Sequence, residues 1–243
     1  MTRINNLLAQ AVKAAGPKPP DDAAQGQKNP WVGKLSNNLA LAFADELRHR
    51  GMTEARPAGP GDIGLSGAER RLAGGIGSKR VDVTWATEES GLLLACSVKT
   101  IMFRDGHSGN FQKNLTNRRS DLIFEAVTLH RRFPYAVLSG WLFLDAQAAD
   151  DYTDRRKSTF ENVFPRFRLF TGRQEPAGRE EQFERLYVLL VDPNPFNPQI
   201  DCYHVADQTQ KVDIGQALTE QVELVGERNF DLYETADGKI RRI

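Results

Sequence analysis

Two unlike strands joined by a tight turn constrain this chain most. Arg80–Thr87 alternates apolar and polar side chains and is rich in β-branched residues, the pattern of a half-covered strand. Glu88-Glu89-Ser90-Gly91 supplies a hairpin turn, and Leu92–Ile101 then runs apolar almost without a break. A strand of that second kind needs cover on both faces, so it belongs in the middle of a sheet. The sequence therefore predicts an α/β fold with a mixed central β-sheet flanked by helices.

Other segments fit that frame. Ser36 reads as an N-cap with Leu35 and Ala40 as a staple, and Leu39, Phe43 and Leu47 recur at helical spacing up to Gly51. Residues 56–78 are rich in Gly and Pro, with a short helix expected over Ala68–Ala73. A long helix is expected from Phe111 to Phe133, stopped by Pro134, with Leu115, Leu122, Ala126 and Leu129 on its core side. Tyr135–Leu144, Leu186–Asp192 and Ile200–Val205 read as strands, and Val212–Leu224 as a helix. Residues 1–34 read as an N-terminal arm and linker: a short amphipathic helix followed by Gly16-Pro17-Lys18-Pro19-Pro20. Residues 35–243 form the main domain, with a core over about 36–145 and a C-terminal extension over 146–243.

Composition excludes several classes. No stretch reaches the roughly eighteen apolar residues of a membrane span, and no signal-peptide h-region is present, so a cytoplasmic protein is expected with no membrane partner. The two cysteines, Cys96 and Cys202, lack Cys-x-x-Cys spacing and read as buried small hydrophobes. The four histidines are scattered without metal-ligand spacing, although His107 follows Lys99 closely enough to reach a substrate. Gly74-Gly75-Ile76-Gly77 lacks the Lys-Ser/Thr ending of a phosphate loop and reads as a flexible loop. A formal net charge of zero argues against a nonspecific coating protein and makes charge placement the informative quantity.

The hairpin carries the chemistry. Val81-Asp82-Val83 lies on its first strand and Cys96-Ser97-Val98-Lys99 near the end of its second, so the acid and the lysine can become neighbours at one sheet edge. A carboxylate can hold a divalent cation, and a lysine can orient water and stabilise developing negative charge. Each residue also has an ordinary reading, Asp82 as a surface acid and Lys99 as a strand-end lysine. Glu46, following Phe43 and Leu39 at helical spacing, falls on or beside a buried face and needs a metal or an arginine partner. Lys79 and Arg80 precede Asp82, and Lys113, Arg118 and Arg119 open the long helix; these read as phosphate contacts. Arg155–Phe170 interleaves basic and aromatic residues, either a phosphate-tracking surface or a solvated helix face with apolar anchors.

Gly77-Ser78-Lys79-Arg80-Val81-Asp82-Val83 followed by Ser97-Val98-Lys99 resembles the two half-motifs of the PD-(D/E)XK (restriction-endonuclease-like) nuclease superfamily, in a Ser-x-Lys variant. The order helix, β-hairpin, helix, strand over residues 36–145 is similar as well. The resemblance implies a metal-dependent DNA endonuclease, such as a type II restriction or phage-defence enzyme. It would bind Mg2+, with Mn2+ able to substitute, through Asp82. Lys99 would position water, and Ser97 stands where the family usually has an acid. Glu125 or Asp121 on the long helix, or Glu46 on the first, would supply the second carboxylate. Double-stranded DNA, a homodimeric partner, and a cognate methyltransferase or other defence partner are implied. The alternative is a catalytically inactive nuclease-fold subunit that binds DNA or assembles a complex, Ser97 marking the lost acid.

Overall fold

The computed structural model describes residues 2–59 and 70–243. Two helices open the chain. Helix α1 (Arg3–Ala15) buries Ile4, Leu8, Ala11, Val12 and Ala15, one face at helical spacing. Helix α2 (Gln25–His49) buries Trp31, Leu35, Leu39, Phe43 and Leu47, a row four residues apart. The segment expected as an arm contributes α1 to the main core and packs against α2. The helix expected from Ser36 begins at Gln25, with Pro30 inside it. Ser36 is not a cap: mid-helix, its hydroxyl shares a 3.2 Å hydrogen bond with that of Thr100. Gly51 ends the helix at φ 100°, where a Cβ would stand 2.0 Å from the carbonyl oxygen of Ile240.

The strand expected over Arg80–Thr87 is two strands broken at Asp82. β1 (Arg70–Ala73) and β2 (Ser78–Val81) form a separate antiparallel hairpin. β3 (Val83–Thr87) then pairs with β4 (Gly91–Ile101), antiparallel, across the expected turn. The helix expected at Ala68–Ala73 is corrected from Arg70 onward, where the chain is β1; residues 68 and 69 lie outside the described residues. Gly74 and Gly75 bring the β1–β2 hairpin onto α3 (Leu115–His130). The Gly75 amide donates to Thr128 O at 2.8 Å, and a Cβ on Gly74 would stand 2.4 Å from that oxygen. The long helix is shorter than expected, a 3-10 turn over Gln112–Asn114 preceding α3.

β5 (Val137–Asp145), β6 (Arg185–Asp192) and β7 (Gln199–His204) complete a five-stranded sheet of order β3-β4-β5-β6-β7. Its β4–β5 and β5–β6 pairs are parallel and its two outer pairs antiparallel. On one face Leu94, Cys96, Val98, Trp141 and Phe143 pack with α1, α2 and α5 (Ile214–Arg228). On the other, Ala95, Ile101, Leu138, Leu142 and Leu144 pack with α3 and α4 (Thr159–Phe167). The alternation of strand side chains places Ser97 and Lys99 on the α3 face. A closing hairpin, β8 (Tyr233–Ala236) and β9 (Lys239–Arg242), lies against α5. No helix among the described residues is long and apolar enough to cross a membrane.

Buried charge ties the layers together at the end of the sheet where β5 and β6 begin. The fully buried Glu184 carboxylate accepts from Arg173 at 2.9 Å, Arg228 at 2.7 Å, the Leu138 amide at 2.7 Å and His130 at 3.3 Å. Burial alone would raise its pKa, but His130, Arg228 and the Leu138 amide outweigh burial and bring it down to about 2. A carboxylate depressed on folding stabilises the fold above its ordinary value near 4.5, and that contribution is lost as pH falls toward about 2. Glu184→Gln is expected to lower stability at pH 7 by roughly 3 kcal/mol. Urea unfolding should show the gap from the parent closing as pH falls through that window.

Candidate active site

Asp82 occupies the break between β2 and β3, where the regular ladder to β4 stops at the Val83–Cys96 pair. Its Oδ2 accepts the next amide of β4, Val98 N–H, at 2.7 Å, taking the place of a main-chain carbonyl. The same oxygen accepts from Lys99 Nζ at 3.1 Å. The acid and the lysine are thus joined by geometry that the hairpin sets directly.

Glu125 enters from α3, on the same buried side as Leu122, Ala126 and Leu129. Its carboxylate is 1% exposed, and the Ser97 hydroxyl donates to its Oε1. Oε2 has no hydrogen-bond partner among the described residues and lies 3.6 Å from Lys99 Nζ and 3.8 Å from Lys79 Nζ. Ser97 therefore holds the helix-borne acid by hydrogen bond beside Lys99. Desolvation holds the Glu125 carboxyl above the ordinary carboxylate range; Asp82 adds to this, and Lys99 and Lys79 oppose it. Burial would lower the Lys99 ammonium, but Glu125 and Asp82 outweigh that and raise it above the ordinary lysine value. Lys99 is consequently a fixed cation at neutral pH.

The other expected residues divide. Asp121 is half exposed and pairs with Arg118 at 3.5 Å, outside the cluster. Glu46 is not brought to the site: it belongs to α2, on the opposite face of the sheet, and accepts from Arg3 at 2.9 Å and Arg50 at 2.8 Å. Those two guanidinium groups answer its buried charge, so the arginine-paired reading of Glu46 describes it. Lys79, expected at the substrate, points inward to Glu125, while Arg80 faces outward beside it on β2. Lys113 pairs with Asp105, and His107 is exposed in the loop that Asp105 caps. Arg119 is partly buried at the start of α3. Phe164 and Phe167 of the basic-aromatic segment are buried anchors of α4, as in the solvated-helix reading.

Beyond the end of β4 a cavity of about 760 Å³ opens between the first turns of α2 and α3, lined by Lys28, Thr100, Phe103, Arg104, Lys113 and Arg118, among others. Thr100 and Ile101, the two residues after Lys99 on β4, belong to its lining. Lys28 and Arg104 were not among the expected binding residues. The start of α2 carries Lys28 to this cavity, and a start at Ser36 hides that placement. Comparison of the chain with protein families, with curated proteins and with solved structures finds no match.

A carboxyl raised on folding favours the folded state at low pH, and that advantage is lost as pH rises from the ordinary value near 4.5 through the elevated one. Glu125→Gln, which does not titrate, should therefore gain stability relative to the parent as pH rises through that range. Denaturant midpoints measured in chelator at several pH values read this; a pH-independent difference between the two proteins would contradict the assignment.

Proposed function

We propose that this chain is a Mg2+-dependent DNA endonuclease with a restriction-endonuclease-like core. The observation that carries the reading is the convergence of Asp82, Glu125 and Lys99 at one edge of the sheet, with Ser97 bonded to the helix-borne acid. The order α2, β3–β4, α3, β5 supports the same reading. So does the cavity beyond the end of β4, whose lining includes the cationic Lys28, Arg104, Lys113 and Arg118 together with Asp21, Asp22 and Asp105.

The donor set suits magnesium. Mg2+ usually takes one or two carboxylates and keeps several waters, and Asp82 with Glu125 provides two, one of them with an oxygen lacking a hydrogen bond among the described residues. The bound cation would polarise the scissile phosphate and lower the pKa of a water. Lys99, kept charged by its two acids, donates toward the attacking water and the developing negative charge and does not serve as a proton acceptor. Ser97 fixes the rotamer of Glu125, and the Val98 amide fixes that of Asp82. Arg80, next to Lys79 on β2, and Arg118 and Arg119, near the start of α3, would track the phosphates of a duplex. Cutting both strands calls for two such sites, hence a homodimer, and a site-specific enzyme of this kind would work beside a protecting methyltransferase or another defence component.

Incubation of the protein with plasmid and phage DNA, with Mg2+, Mn2+ or chelator, tests the reading. Metal-dependent cleavage is expected, and it should fall by roughly a thousandfold or more in Asp82→Ala, Lys99→Ala and Glu125→Gln. Glu46→Ala is expected to lose stability while its turnover stays near that of the parent. DNA binding without cleavage under every metal condition would favour the inactive-subunit alternative.

A further inference from the structure

Glu125 faces two ammonium groups where one would neutralise it. Asp82, Glu125, Lys99 and Lys79 together make a cluster of two negative and two positive charges. A divalent cation entering it would leave an excess of two positive charges in a mostly buried place, where like charges held by shared carboxylates repel.

The two lysines are not held alike. Lys99 stands on the central strand β4 and is hydrogen-bonded to Asp82. Lys79 stands on the β1–β2 hairpin outside the central sheet and reaches Glu125 at 3.8 Å, an ion pair without a hydrogen bond. Its ammonium also lies 5.6 Å from the centroid of the Phe124 ring, and Phe124 is 48% exposed. The aromatic face offers the lysine a path from the buried carboxylate toward solvent.

We propose that Lys79 is a displaceable counter-ion. It neutralises Glu125 in the metal-free protein, yields that carboxylate to the divalent cation, and turns outward along Phe124 to a phosphate of the substrate. Metal loading and substrate binding are thereby coupled through one side chain. This inference rests on the endonuclease reading of the same site.

Calorimetric titration of the parent, Lys79→Met, Lys79→Arg and Asp82→Ala with Mn2+, without DNA, separates the two. Lys79→Met should bind Mn2+ roughly tenfold more tightly than the parent, Lys79→Arg should stay close to the parent, and Asp82→Ala should lose the binding. Urea midpoints show whether each variant folds, and Lys79→Gln replaces the Met variant if that one does not. Asp82-dependent Mn2+ binding that is equal or weaker in Lys79→Met overturns the counter-ion role and leaves the endonuclease reading standing. Absence of Asp82-dependent binding in the parent and in Lys79→Met removes both. In the Lys99→Ala background at saturating Mn2+, adding Lys79→Met should weaken duplex binding several-fold and reduce its salt slope by about one. An unchanged slope overturns the transfer of Lys79 to phosphate.

Discussion

The site depends on the Asp82 carboxylate taking the place of a strand. Where β2 ends and β3 begins, β4 still presents an amide, Val98 N–H, and Asp82 Oδ2 accepts it at 2.7 Å. That bond ends the ladder without leaving a buried donor unpaired, and it aims the same oxygen at Lys99. Ser97, on the α3 face with Lys99, is then free to hold Glu125. The meeting of Asp82 and Lys99 follows from where this one side chain replaces main chain.

Two of the protein's buried carboxylates are treated in opposite ways. Glu184 receives two guanidinium groups, an imidazole and an amide, and its charge is fully answered within the fold. Glu125 receives a hydroxyl and two ammonium groups at ion-pair distance, and one of its oxygens lacks a hydrogen bond among the described residues. A fully satisfied buried charge consolidates packing, whereas a partly satisfied one is stable only with a further ligand or a shifted proton. The direction of the two pKa displacements, down for Glu184 and up for Glu125, expresses that difference.

Local information made much of this legible in the sequence. The β3–β4 pairing follows from a tight turn and a change of apolar pattern, so the approach of Asp82 to Lys99 needed no knowledge of distant contacts. Glu125 and Asp121 both flank the apolar stripe of α3, and periodicity alone could not rank them; burial against Ser97 separates them. Glu46 was recognisable as a buried acid, but its partner Arg3 is 43 residues away and on an element taken for an arm. The Gly-Pro stretch after α1 signalled a break correctly, yet nothing local showed that the helices on either side of it pack together. Asp237-Gly238, with both residues at positive φ, is a hairpin signal that the sequence carried and that went unread.

The β1–β2 hairpin carries Lys79 and runs directly into Asp82, while Lys99, Ser97 and Glu125 belong to the sheet and α3. The cluster is therefore a joint between two bodies, closed where Gly74 and Gly75 lie on the last turns of α3. A side chain at Gly74 would meet the Thr128 carbonyl and wedge the joint open at a point remote in sequence from Glu125's partner Ser97 and from Lys99. Small residues at a hairpin tip, which have no functional group to offer, thus help to set where Lys79 stands against Glu125.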